Sequence, residues 1–236
     1  MKLKIVAMSD FHGTLPEITE SADIAIIAGD LFPLNIQFNK PKSQKWVENV
    51  FAHWVNIMPV DMVYLVGGNH DAYFESISKA NLQDLINACH GKLVYLENET
   101  ADYFSDNGLL WTIFGTPYCH IFGNWPFMRS DAYMSQRFKE IPEKVDIIIS
   151  HDPPFGAGDV DVILDTTIFG LTPFIHLGNQ PLRSRIASVD YKILFCGHIH
   201  SGAHTLDETW KTVNVSYLNE HYKPHYPPFY VEIEHN

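Results

Sequence analysis

The residues able to do chemistry cluster in five short motifs, each at or near the end of an apolar run: Asp10-Phe11-His12, Gly29-Asp30, Gly68-Asn69-His70-Asp71, Ser150-His151 and Gly197-His198-Ile199-His200. Carboxylates, imidazoles and an amide oxygen are the donors that two neighbouring divalent cations take. Such a pair, roughly 3.5–4 Å apart, can clamp a phosphate, lower the pKa of a bound water to near neutrality and stabilise a leaving oxygen. Each motif alone is common, and a lone histidine at a strand end is more often a hydrogen-bonded structural residue. All five in this order point to a dinuclear metal site.

Strands must deliver these residues. The runs at 3–8, 24–28 and 62–66 are short, rich in Val and Ile, and closed by Gly or Ser beside polar residues, which predicts strands buried on both faces. Further strands are expected at 93–96, 109–115, 146–150, 192–196, 210–215 and 229–233. Residues 44–57 place Trp46, Val47, Val50, Phe51, Trp54 and Val55 at helical spacing, with Pro59 as a stop. A second helix is expected from about Glu75 or Ser76 to near His90, where Gly91 can close it in the left-handed conformation. The first half reads as parallel-rich and the second as mixed. In α/β sheets, ligands bind outside the carboxyl ends of the strands, and Asp10, Asp30, Asn69, His151 and His198 all follow predicted strands.

Composition narrows the class. The 236 residues are 46% hydrophobic, enough for one well-buried core, and no repeat, linker or low-complexity tract divides 1–236, so one α/β domain is expected. A net charge of -12 argues against a groove that grips nucleic-acid backbone. Cys89, Cys119 and Cys196 form no CxxC pair and read as buried reduced thiols rather than a disulfide or thiolate zinc site. No apolar run approaches the ~20 residues that span a bilayer. The apolar run at the N-terminus is too short for a signal peptide and leads directly into the first motif, which predicts a cytoplasmic protein.

The five motifs in this order resemble the signature of the calcineurin-like metallophosphoesterase superfamily over nearly the whole chain. Residues 151–156 (HDPPFG), 197–202 (GHIHSG) and 214–220 (NVSYLNE), with Tyr222-Lys223-Pro224, look like the metallophosphoesterase-domain-containing branch, related to class III cyclic-nucleotide phosphodiesterases. Asp152 stands where that branch carries glycine. The resemblance implies a four-layer α-β-β-α sandwich, two mixed sheets flanked by helices, with metals at the strand ends. It also implies that Asp10, His12 and His200 bind one metal, that Asn69, His151 and His198 bind the other, and that Asp30 bridges both. His70 would be the histidine that is not a ligand and donates a proton or hydrogen bond to the leaving oxygen. The donor set suits Mn, Fe, Zn, Co or Ni, and does not choose among them.

The expected activity is hydrolysis of a small phosphodiester, cyclic nucleotides included, by a metal-bridging hydroxide. A nuclease or phosphomonoesterase of the same superfamily is the alternative, and a silent metal-binding regulator a further one. A Ser/Thr protein phosphatase fits poorly, because Asp30 continues into Leu31-Phe32-Pro33 rather than an Asp-Arg-Gly clamp. Asp71 could orient His70, or cap a helix or loop. Residues 117–138, with Tyr118, Phe122, Trp125, Phe127 and Tyr133, could stack a nucleobase or form a loop's own core. Arg129, Arg137, Arg183 and Arg185 are the available phosphate clamps. Asn214 could steady a ligand histidine or serve a turn.

Overall fold

The computed structural model describes residues 1–162, 174–202, 204 and 206–235. Strands β1 (Lys2–Met8), β2 (Ile24–Ile27), β3 (Met62–Val66) and β4 (Leu93–Leu96) build the first half. β5 (Glu99–Phe104), β6 (Leu110–Thr116), β7 (Ile147–Ser150), the β8 (Val160–Val162) and β9 (Phe174–His176) pair, β10 (Ile193–Cys196), β11 (Thr212–Asn214) and β12 (Phe229–Glu234) follow. β8 and β9 pair separately, and the other ten form two five-stranded sheets, in the orders β12-β1-β2-β3-β4 and β11-β10-β7-β6-β5. Each is parallel except at one edge, where β12 runs antiparallel to β1 and β5 antiparallel to β6. The expected split into a parallel-rich half and a mixed half is therefore replaced by two sheets of the same mixed kind.

Alternation along each strand separates two cores. Ile5, Ala7, Ile24, Ile26, Tyr64 and Val66 face Trp111, Ile113, Ile147, Ile149, Ile193 and Phe195 between the sheets. The intervening Val6, Met8, Ala25, Ile27, Val63 and Leu65 pack outward, as do Phe114, Ile148 and Leu194, in a cluster shared with helical residues. Both faces of the inner strands of each sheet are thus apolar and covered. Removing a fully buried side chain of this size from water stabilises the fold by roughly 1.5–3 kcal/mol.

The helix over Lys40–Trp46 (α1) continues through a π-helical turn at Val47–Phe51 into Ala52–Ile57 (α2). It begins four residues before the predicted start, because Asn39 accepts from the Lys42 N–H at 3.2 Å and Pro41 occupies the first turn. The second predicted helix is Lys79–Ala88 (α4), starting three or four residues later than expected, and a short unpredicted helix, Ala72–Glu75 (α3), precedes it. Ser78 caps α4 by accepting from the Asn81 N–H at 3.1 Å, and Gly91, at φ +76°, closes it with an N–H to the Ile86 carbonyl. Asp131–Arg137 (α5) and Gln180–Ile186 (α6) cover the second sheet through Met134, Leu182 and Ile186. No helix of the described residues is long and apolar enough to cross a membrane.

Candidate metal centre

The carboxyl ends of β1, β2, β3, β7 and β10 bring the expected site residues together. Ser9 pairs with Ser216 across the gap between the two sheets, and the Asp10 N–H donates to the Gly29 carbonyl at 3.0 Å. Two groups of side chains could each hold a metal ion: Asp10, His12 and His200, and Asp30, His151 and His198, with ligand atoms in each group within 4.8 Å of one another. Asp30 reaches both groups. Its Oδ2 lies 3.7 Å from His12 Nε2 and its Oδ1 3.5 Å from His151 Nε2. The Asn69 side-chain oxygen lies 3.0 Å from His151 Nε2, on the second group's side.

The local backbone is bent to make this convergence. Asp10, His12, Asp30 and His198 all have φ between 43° and 68°, a left-handed conformation that non-glycine residues rarely adopt. Strain of this kind costs roughly 1–3 kcal/mol per residue and persists only where neighbours over-determine it. Asp71 supplies much of that determination. Its Oδ1 accepts from the Leu31 and Phe32 N–H groups at 2.8 and 3.2 Å, and its Oδ2 from the Asp30 and Gly68 N–H groups at 2.9 and 2.8 Å. Burial, and then the Asp30 charge, push the Asp71 carboxyl up to about 7, while the Gly68 and Leu31 N–H groups that donate to it pull the other way. Asp71 therefore ties the β2 loop to the β3 loop and does not orient the His70 ring. At Gly68 a Cβ would collide with the Asp30 carboxylate, so only glycine permits this approach.

The imidazoles are individually fixed. His151 Nδ1 sits 2.7 Å from the Ala28 carbonyl and His200 Nδ1 2.9 Å from the Asn219 carbonyl, leaving Nε2 of each for the site. Asp10 is held by the Ser216 hydroxyl at 2.8 Å, by the Ser9 hydroxyl, and by the His198 N–H at 3.0 Å. Asn214 donates to the Gly158, Gly197 and Ile199 carbonyls at 2.9, 3.1 and 2.8 Å. It thereby steadies the backbone that carries His198 and His200, not a ring.

Charge balance favours cations here. Burial lowers His12 and His198 to about 4, so both rings are neutral donors. Burial also disfavours the charged forms of His151 and His200, but Asp30 carries the first up to about 10 and Asp10 the second up to about 9. Asp10 and Asp30 are held below the usual carboxylate range against their burial, Asp10 by His200 and Asp30 by His151. Without cations, two buried carboxylates thus keep protons on two imidazoles. The residues fit divalent metals: both ring nitrogens of His12 are buried without a hydrogen-bond partner, an unfavourable state that coordination of one nitrogen relieves.

The groups open into a cavity of about 370 Å³ whose lining includes Asp30, Asn69, His70, His198 and His200, with Phe122, Trp125 and Tyr222 as walls. Trp125 lies 4.8 Å from the His70 ring, Phe122 5.2 Å from His198, and Tyr222 4.9 Å from His12. The aromatic segment thus divides: Tyr118 and Phe127 are buried core, while Phe122 and Trp125 reach the site. Among the described residues, no arginine or lysine lines the cavity. Arg129 bonds Glu75, Arg137 bonds Glu140, Arg183 lies over Trp210 and Arg185 meets the Ile141 carbonyl, so the expected clamps serve elsewhere. Asp152 is fully buried and accepts from His120 Nδ1 at 2.8 Å and Asn179 Nδ2 at 3.1 Å. The three cysteines are buried and unpaired. Sequence reasoning missed Gln37, Ser9 and Ser216, whose residue types carry no ligand signal and whose roles arise only from loop closure.

Similarity to known proteins agrees with this site. The chain is 26% identical over 256 residues to metallophosphoesterase domain-containing protein 1 of Homo sapiens, across 98% of this chain and 71% of that protein. It is 27% identical over 205 residues to a probable rhamnogalacturonate lyase C of Emericella nidulans, across 85% of this chain but 17% of that protein. One solved structure matches with a TM-score of 0.60 at 16% identity, over 93% of this chain and 91% of its own, a likeness of fold. The calcineurin-like phosphoesterase model matches residues 3–202, and the chain belongs to that family.

Proposed function

We propose that this protein is a dinuclear-metal-dependent phosphodiesterase acting on small phosphodiesters, with cyclic nucleotides among the candidates. One observation carries the reading: the Asp30 carboxylate lies within reach of two donor groups in a cavity that Phe122, Trp125 and Tyr222 help to wall and that holds, among the described residues, no lysine or arginine. Two bound divalent cations would supply Lewis acidity to the phosphoryl oxygens and hydroxide near neutral pH. Asp10, His12 and His200 would hold one, Asn69, His151 and His198 the other, and Asp30 both.

The remaining chemistry belongs to the protein. With no lysine or arginine among the described residues of the cavity wall, compensation of phosphate charge falls chiefly to the cations, which suits a monoanionic diester better than a dianionic monoester. Phe122, Trp125 and Tyr222 offer flat apolar surface to the ester's organic part. His70 lines the cavity beside Asn69 and would protonate the departing oxygen. The net charge of -12 supports a small substrate over nucleic acid. Buried unpaired thiols support a reducing compartment, and we place the protein in the cytoplasm.

The test compares bis(p-nitrophenyl) phosphate with p-nitrophenyl phosphate, using metal-stripped protein reconstituted with Mn²⁺ and, separately, with Fe, Zn, Co and Ni. Faster metal-dependent turnover of the diester is the expected result. Preference for the monoester would move the assignment to a phosphomonoesterase, and silence with every metal to a binding protein.

A further inference from the structure

We infer that Gln37 is a positioning residue that fixes the tautomer of His70, a role that rests on the phosphodiesterase reading for its kinetic consequence. Gln37 lies in the loop between β2 and α1, is 7% exposed, and places its side-chain oxygen 2.7 Å from His70 Nδ1. The amide cannot be turned around without loss. Its NH₂ group donates to the Leu34 carbonyl at 3.1 Å, so the oxygen must face the ring, and an oxygen there can only accept. His70 Nδ1 therefore carries a proton, and Nε2 is the nitrogen left for the cavity that His70 lines.

The loop is built to hold this contact. The Ile36 and Gln37 N–H groups both donate to the Pro33 carbonyl, at 3.0 and 3.1 Å. The next side chain, Phe38, lies 5.8 Å from Trp125, which in turn lies against His70. One short segment thus grips the imidazole at its edge through Gln37 and braces the Trp125 ring that lies tilted against it. Asp71, the neighbouring carboxylate, has both oxygens committed to backbone N–H groups. A neutral amide also orients the ring without placing a further negative charge beside Asp10 and Asp30.

The chosen tautomer matches the step. When the bond from phosphorus to the leaving oxygen breaks, its electron pair goes to that oxygen, which takes the Nε2 proton of a His70 ring that entered the step protonated on both nitrogens. What remains is neutral imidazole protonated at Nδ1, the form that Gln37 accepts from. Gln37 thereby keeps the same Nδ1–H bond before and after the proton leaves Nε2, so the ring does not have to turn during the step.

Two readouts test this on protein loaded with Zn²⁺, which is diamagnetic. Ring-nitrogen ¹H–¹⁵N spectra at about pH 8, where an ordinary histidine is neutral, are expected to show His70 protonated at Nδ1 in the parent and in Gln37→Glu. Gln37→Leu is expected to admit the Nε2-protonated form, with Gln37→Ala as the second variant should leucine disturb the loop. In kinetics, the leucine variant should lose roughly tenfold or more in kcat on methyl phenyl phosphate. It should lose less than about threefold on methyl 4-nitrophenyl phosphate, whose leaving group needs little proton. Metal content should not change, and Gln37→Glu should recover most of the rate. Unchanged Nδ1 protonation in the leucine and alanine variants, equal slowing of both esters, or no recovery by glutamate would overturn the role. If the parent turns over neither ester, the phosphodiesterase reading fails, and the spectra alone decide the tautomer.

Discussion

At the level of single residues, the site is a contest between burial and charge that cations resolve. In the metal-free protein, Asp30 and Asp10 raise His151 to about 10 and His200 to about 9. A folded-state pKa above the ordinary histidine value contributes stability that is complete below about 6.5 and is lost as pH rises through about 9 to 10. Coordination needs the unprotonated rings, so metal uptake at neutral pH should release protons and tighten as pH rises toward that range. Calorimetry in buffers of different ionisation enthalpy reads this directly, and a binding enthalpy independent of buffer would contradict it. His70→Ala should keep the metals and lose roughly 10²–10⁴ in turnover of an ester with a poor leaving group. Wild-type turnover of such an ester by that variant would remove His70 from the chemistry. Gly68→Ala should cost both metal affinity and activity, since its Cβ would strike the Asp30 carboxylate.

At the level of elements, loops bent against their own backbone preference are held by side chains reaching across from neighbouring strands. Asp71 is the strongest case: replacing it with alanine strands up to four buried N–H groups. Each unsatisfied donor costs roughly 1–3 kcal/mol, so Asp71→Ala should destabilise the protein by at least about 3 kcal/mol in chemical denaturation. A loss below about 1 kcal/mol would mean water takes over those donors. Asn39→Ala, which removes only a cap on α1, should cost about 1 kcal/mol and leave metal binding intact. The strands that carry the site were legible because Ile24–Ile27 and Ile147–Ser150 are compact runs buried along their whole length. β5 was not legible: Glu99–Phe104 is a charged, mostly exposed edge strand whose only signal is its pairing with β6. The motif residues stand out by order and spacing, while their separate ligand and donor roles come only with the family resemblance. Gln37 and the carbonyls of Ala28 and Asn219 do not stand out, because they act through loop geometry that no pattern of residue types encodes.

At the level of the whole molecule, two similar mixed sheets face each other across an apolar layer and deliver ligands to one end. Neither sheet holds a complete donor group: Asp10 and His12 follow β1 while His200 follows β10, and Asp30 follows β2 while His151 follows β7. The metals would therefore bridge the sheets as well as serve chemistry, and a cation at 100 times its dissociation constant should add about 2.7 kcal/mol to folding stability. The most direct measurement is the number of metal ions retained per chain, read together with diester turnover, for the parent and for Asp30→Ala. The account predicts two ions and metal-dependent turnover in the parent, with both ion binding and turnover lost in the variant. A single ion in the active parent, or an Asp30→Ala variant that still turns over the diester, would contradict it.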